Sequence, residues 1–287
     1  MTEMIKIEGK KFDWFGLTQI LKEHKGKLRQ IRMLSVNELK KKYKGAALGP
    51  IWALIKPTFT LFILWFAFEI GLKRNGGVHF INGKYTQFVF MLTGYVPWFY
   101  ISECIVGGSR SIRSNKQFVT KLSFPVSNIM TFTSLSGLYI HILLCAIMYV
   151  VLLCLGFGPS IYNLQFIYYA LMMYFFFLVL SWMTAPLSAF SKDFENLINS
   201  IITGLFWLSG IFWNTYDISP LWLRKLMYFN PINYFVNGYR KSFLTDTFIF
   251  DSNYTTETMV FYAEFIFMIF LGAHTYKKFR KILPDVL

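Results

Sequence analysis

Apolar stretches of about 20 residues recur along this 287-residue chain and constrain it more than any other feature. That is the length a helix needs to cross ~30 Å of hydrocarbon at about 1.5 Å rise per residue. Six spans are expected: 51–72, 88–105, one within 126–157, 166–190, 197–213 and 259–273. The third stretch exceeds one span, so its beginning is expected in the interface. Composition agrees: 55% of residues are hydrophobic, 20% aromatic and 15% charged, with a mean hydropathy of +0.43. A soluble domain carries about 25% charge. Disorder, coiled coil and a disulfide scaffold are excluded. Cys104, Cys145 and Cys154 all sit in apolar runs and read as small buried hydrophobes.

The net charge of +14 would suggest nucleic acid on a soluble chain. Here placement matters more, because membrane proteins collect Lys and Arg on their cytoplasmic side. With the N-terminus inside, the inner segments 1–50, 106–125, 191–196 and 274–287 hold 21 of the 29 basic residues. The outer segments 73–87, 158–165 and 214–258 hold 7. The bias puts both termini in the cytoplasm, as an even number of spans requires. The first ~25 residues are polar and basic, without the apolar run and cleavage site of a signal peptide.

Three regions follow from this: a cytoplasmic segment 1–50, a six-span domain 51–273 and a cytoplasmic tail 274–287. The fold class is all-α and integral to the membrane. Within the first segment, 28–43 is predicted as an amphipathic helix. Leu28, Ile31, Val36, Leu39 and Tyr43 share one arc, with Arg29, Lys40 and Lys41 outside it and Arg32 adding charge. Such a helix lies in the membrane plane near anionic headgroups. It serves either as a positive-inside anchor or also as a contact for a cytoplasmic partner. Gly49-Pro50 breaks the chain before the first span. Outside, 218–229 and 232–243 are apolar pieces too short to cross, separated by Asn230-Pro231, and are expected as re-entrant or interfacial helices.

Catalytic chemistry is missing from the pattern. His24, His79, His141 and His274 do not pair with Cys, Asp or Glu at metal spacing, and no G-x-S-x-G or phosphate-loop motif exists. An integral-membrane glycosyl- or acyltransferase would need such groups. An ion-coupled carrier would place ionisable residues near the midplane. Glu264 is the deepest acid, while Lys56, Glu69 and Glu103 lie near span ends. His141 reads as a packed, hydrogen-bonded residue. A transporter of this kind draws its energy from another subunit or a gradient.

Two cytoplasmic connections carry more information. Between spans two and three, a short helix capped by Ser109 is expected, with basic side chains alternating with Ile112, Phe118, Val119 and Leu122, ended by Phe124-Pro125. A short amphipathic helix at this face suits docking into a partner's groove. Between spans four and five the chain reads Ser191-Lys192-Asp193-Phe194-Glu195-Asn196, tight and acidic.

In the stretches YKGAALGPIWALIKP (43–57), FEIGL (68–72), GYVPWFYIS (94–102), 108–125, SKDFENL (191–197) and NPINYFVNGYRKSF (230–243), the chain resembles permease subunits of type-2 ABC exporters for cell-surface polysaccharides. The teichoic-acid-translocation permeases are most similar, with the O-antigen permeases as relatives. Lys192-Asp193 departs from the Arg-Asp often found there, keeping the charge but losing a bidentate donor.

The resemblance implies a bacterial plasma-membrane half-transporter. Two copies would form the pore and two separate ATPase subunits would bind ATP and Mg, leaving this chain without a cofactor. The cargo would be a lipid-diphosphate-linked teichoic acid. Arg113, Lys116, Phe118 and Lys121, with Asp193 and Glu195, would contact the ATPase. A polymer path needs aromatic surfaces that slide. Phe59, Phe62, Trp65 and Phe66 on span one, Trp98 and Tyr100 on span two, and Phe206, Trp207, Phe212 and Trp213 on span five are candidates. Lys56, and outside Arg224, Lys225 and Arg240, would make passing contacts with phosphates.

Overall fold

A computed structural model describes residues 16–72, 76–122 and 124–287. Most of the polar start of the chain, Lys73 and Arg74 lie outside the described residues. The helices are α1 (Leu17–His24), α2 (Leu28–Lys42), α3 (Trp52–Trp65), α4 (Gln87–Ser114), α5 (Lys116–Thr120) and α6 (Val126–Cys154). They continue with α7 (Gln165–Phe190), α8 (Lys192–Leu208), α9 (Leu221–Leu226), α10 (Pro231–Leu244), α11 (Thr255–Phe279) and α12 (Leu283–Val286). A two-stranded antiparallel hairpin, β1 (Val78–Phe80) and β2 (Gly83–Tyr85), precedes α4.

Among the described residues, five helical stretches are long and apolar enough to cross a membrane: Gly49–Gly71, Gln87–Ser114, Val126–Cys154, Ile161–Phe190 and Ser252–Phe279. The stretch expected at 197–213 is helical over Lys192–Leu208 instead, 17 residues long. It starts earlier because Ser191 is extended and Asp193 and Glu195 occupy the first turn, where carboxylates favour the helix dipole. It stops at Leu208 because Gly210 takes φ +65°, a conformation glycine adopts without penalty.

The centre of the bundle is α4, packed by α6, α7, α8 and α10. Thr86 caps it by accepting from the Val89 N–H at 3.3 Å. It runs on to Ser114, so the short helix expected from Ser109 does not exist as drawn. Ser109 lies inside α4, its hydroxyl donating to the Val106 carbonyl at 2.8 Å, and only Lys116–Thr120 form a separate helix. Likewise α6 is one continuous helix from Val126, because Pro125 fits the position preceding its first turn.

Close helix approach relies on glycine at two places. A Cβ at Gly272 of α11 would sit 2.7 Å from the Val179 carbonyl of α7, and one at Gly94 of α4 would sit 2.5 Å from Nη2 of Arg240. The element α10 begins as its sequence suggests: Asn230 accepts from the Ile232 and Asn233 N–H groups and Pro231 opens the helix. It is not interfacial, however. Every residue from Ile232 to Leu244 is buried, against α4, α7 and α11.

One end of the bundle gathers the starts of α6 and α8 and the ends of α4, α7 and α11. There α1 docks through Glu23, which accepts from Tyr276 of α11 at 2.6 Å and from Ser127 of α6 at 2.5 Å and pairs with Arg280 at 3.0 Å. The two described terminal regions therefore share this end, called basic below. Burial pushes the Glu23 carboxyl up, but hydrogen bonds from Ser127, Tyr276 and Gln19 and the charge of Arg280 outweigh it and hold the group below the ordinary carboxylate value. Its contribution, about 2 kcal/mol, is thus complete above the ordinary carboxylate pKa and fades as pH falls through the lowered one. Hydrogen exchange over 17–24, corrected for intrinsic rates, is expected to accelerate as pH drops below that range. In Glu23→Gln it is expected to be fast already at pH 7.

Candidate functional site

The basic end brings the two cytoplasmic connections together. Glu195, on the first turn of α8, pairs with Arg113 at 3.2 Å and with Arg110 at 2.7 Å on α4. Arg110 also donates to Asn199 at 3.1 Å. Arg113 donates to the carbonyls of Ser188 and Ala189, the last turn of α7, where a cation satisfies orphan acceptors and the dipole. Arg113 and Glu195 therefore face each other and not outward. Lys116, Lys121 and Asp193 are exposed. Phe118 is half-buried against Phe124 and Phe132, with ring centroids 5.3 and 5.8 Å away. Sequence reasoning passed over Arg110 and Asn199. The signal was present: basic residues three apart on one helix face opposite an acid at a helix start.

Beside this end, α2 lies along α6. Ile31 and Ser35 are buried, and the Ser35 and Tyr139 hydroxyls are 3.1 Å apart. Leu28 and Val36, from the apolar arc expected to meet the membrane, are exposed next to Arg29 and Arg32. Those four residues line an open cavity of about 750 Å³ with Met33, Asn37 and Tyr139. Lys40 is exposed, and Lys41 donates to Asn115 at 3.1 Å.

The aromatic candidates divide. On α3, Lys56, Phe59 and Phe62 are exposed, as is Phe66 just past its end, while Trp65 is half-buried against Phe88. Trp98 and Tyr100 are buried within α4's packing. Phe206 packs against Trp98 and Phe212, the latter buried and stacked on Phe68 with centroids 5.3 Å apart. Trp207 is exposed, and Trp213 is half-buried, its indole N–H donating to the Trp207 carbonyl at 3.1 Å. Residues 196, 200, 203, 204 and 207 of α8 fall within about 100° of each other. All are exposed: Asn196, Ser200, Thr203, Gly204 and Trp207. The opposite side of α8, with Ile198, packs inward.

The hairpin end holds a sealed polar cluster. Arg240 is 0% exposed, and among the described residues no carboxylate pairs with it. Its guanidinium donates to the carbonyls of Gly210 at 2.8 Å, Ile211 at 2.7 Å and Phe90 at 3.2 Å, and lies 3.4 Å from the Phe90 ring centroid. Arg240 therefore caps the chain leaving α8 and cannot make passing contacts with phosphates. Lys241 pairs with Glu257 at 3.3 Å, also buried, and Tyr216 donates to the same carboxylate at 3.0 Å. Arg224 donates to the Tyr216 carbonyl, and Lys225 is exposed. Deeper in the core, His141 is buried 2.6 Å from the Tyr239 hydroxyl and 3.3 Å from the Cys145 sulfur. Oε2 of Glu69 and of Glu264 are buried without a hydrogen-bond partner. Among the described residues, no group of three His, Cys, Asp or Glu side chains could hold a metal ion.

A bundle whose helices α4, α7 and α8 are tied by ion pairs and carbonyl contacts at one end, with an exposed polar stripe on α8, has the build of a membrane conduit. Comparison with known proteins agrees. The O-antigen export system permease protein RfbA of Myxococcus xanthus is 24% identical over 72% of this chain and 76% of its own length. The permease of the same name from Klebsiella pneumoniae is 24% identical over 89% of this chain and 93% of its own length. The family model described as ABC-2 type transporter matches residues 29–244, from α2 through α10, and so this chain belongs to the ABC-2 type transporter family.

Proposed function

We propose that this chain is the membrane permease of an ABC exporter that moves a lipid-linked polysaccharide of the O-antigen type across the bacterial plasma membrane. ATP and Mg would be handled by a separate ATPase subunit. The observation that carries the reading is the alignment of nearly the whole chain with O-antigen export permeases. Those relatives favour an O-antigen-type glycan over the teichoic acid expected from sequence.

In this reading α8 is a sixth, short crossing. Its 17 residues make a helix of about 25 Å, and Phe212, just beyond its end, accepts from Gln87 at the start of α4. Since Glu195 pairs with Arg113 at the far end of α4, residues 195–212 run the length of that helix. The basic end then faces the cytoplasm, as the distribution of Lys and Arg requires. A polar stripe has no place in lipid. We therefore assign the Asn196–Trp207 stripe of α8, with Lys56, Phe59 and Phe62 of α3 and Phe66 just past its end, to the path formed with a second copy of the chain. Sugar hydroxyls would meet Ser200 and Thr203, and rings would slide over Trp207.

Two measurements test this. Deleting the gene is expected to abolish surface polysaccharide and leave lipid-linked glycan inside the cell; unchanged surface glycan refutes the export function. Single cysteines at Ser200 and Thr203 are expected to react with a membrane-impermeant thiol reagent during transport. A cysteine at Ile198 is expected to stay protected, and equal labelling at all three would reject the path assignment.

A further inference from the structure

The helices α2, α4 and α6 enclose a second cleft, of about 530 Å³, which reaches Arg110 at the joint with α8. Cavities of this size hold small ligands. Apolar residues such as Leu39, Cys104 and Ile140 line part of it, and hydroxyls and charges line the rest. Ser111 and Ser114 come from α4 and Thr133 and Ser136 from α6, with Lys41 and Lys42 on the α2 side. The Thr133 hydroxyl is buried and has no hydrogen-bond partner. The floor is Gly107 and Gly108, whose bare backbone lets a ligand approach closely. Across the mouth, Lys42 pairs with Glu103, and Lys41 sits 3.6 Å from Glu38. The α2 helix carries Arg29, Arg32, Lys40, Lys41 and Lys42 against the single acid Glu38, so the potential favours an anion.

Glu103 lies eleven residues before the end of α4 at Ser114, about 16 Å inside the basic end. Hydroxyl groups and two ammonium groups at that depth, beside a glycine that leaves room for a ligand, match one chemistry. We propose that this cleft binds a phosphorylated polyol headgroup carried by a lipid. The phosphate would take the Lys42 ammonium from Glu103, which then accepts from a ligand hydroxyl, with Thr133 and Ser111 bonding the remaining hydroxyls. Either a glycerophospholipid of the bilayer or the lipid-proximal sugar phosphate of a glycolipid supplies this group.

The test uses the full chain in phosphatidylcholine nanodiscs, titrated calorimetrically with glycerol 3-phosphate, glucose 1-phosphate, glycerol and inorganic phosphate. Both polyol phosphates are expected to bind, and glycerol and inorganic phosphate about tenfold more weakly. Gly107→Leu should fill the cleft, since nothing lies within 4 Å of a Cβ built there. It is expected to lose at least tenfold in affinity with an unchanged unfolding temperature. Lys42→Met is expected to weaken the phosphates and not glycerol. Repeating the titration in nanodiscs containing phosphatidylglycerol separates the sources. Loss of the glycerol 3-phosphate signal supports the site and assigns it to the bilayer lipid; a retained signal supports it and assigns it to the glycolipid. Absence of binding in phosphatidylcholine, equal binding by folded Gly107→Leu, or inorganic phosphate binding as tightly as the polyol phosphates would overturn the proposal.

Discussion

Replacing Arg240 with alanine is expected to cost the purified chain about 3 kcal/mol or more of stability, read as a lowered unfolding temperature in detergent. The guanidinium serves two carbonyls that have few other donors, because Gly210 and Ile211 follow the end of α8 where backbone acceptors lack intrahelical partners. Each buried acceptor left bare costs about 1–3 kcal/mol. The lost contact with the Phe90 ring adds about 1–2 kcal/mol. Arg240→Lys is expected to recover only part, since an ammonium is a point donor and cannot fork between Gly210, Ile211 and Phe90. Gly94→Ala should mimic the defect from the other side by pressing a methyl group on Nη2. Wild-type unfolding of Arg240→Ala would show that the cluster does not hold α8 to α4 and α10.

Arg113→Glu and Lys116→Glu are expected to fail differently, although the sequence groups them as one docking surface. Arg113→Glu sets a second carboxylate against Glu195 and strips donors from Ser188 and Ala189, so the joint of α4, α7 and α8 loosens by about 2 kcal/mol and ATP-driven export falls about tenfold or more. Glu195→Gln is expected to weaken the same joint less, because the amide oxygen still accepts from a guanidinium and no second carboxylate is added. Lys116→Glu and Lys121→Glu touch exposed side chains, so stability is expected to hold while stimulation of the partner ATPase drops. Thermal unfolding and ATPase rates measured side by side separate the two effects. If Arg113→Glu unfolds like wild type, the ion pair is not what holds α4, α7 and α8 together.

Residue order alone determined that this chain is a membrane bundle with its charge gathered at one end, and it located α2, α3, α4, α6, α7 and α11 to within a turn or so at most boundaries. These features rest on hydropathy summed over about 20 positions, a signal large enough to survive local exceptions. The Asn230-Pro231 start of α10 was legible for a similar reason: caps are written in adjacent residues. Three things were decided only by tertiary packing. One is the inward turn of Arg113 and Glu195 and another the sealing of Arg240. The third is the split of the aromatic residues, with Trp98, Tyr100 and Phe212 in the core and Phe59, Phe62 and Trp207 on open faces. A guanidinium or a ring carries the same letter whether it meets a phosphate, a carbonyl or another ring. Its partner is chosen by residues up to 150 positions away, as Phe90 is from Arg240. Only the folded chain brings such groups within hydrogen-bond reach, and in the low dielectric of a helix bundle that proximity, not the residue type, sets what each charge does.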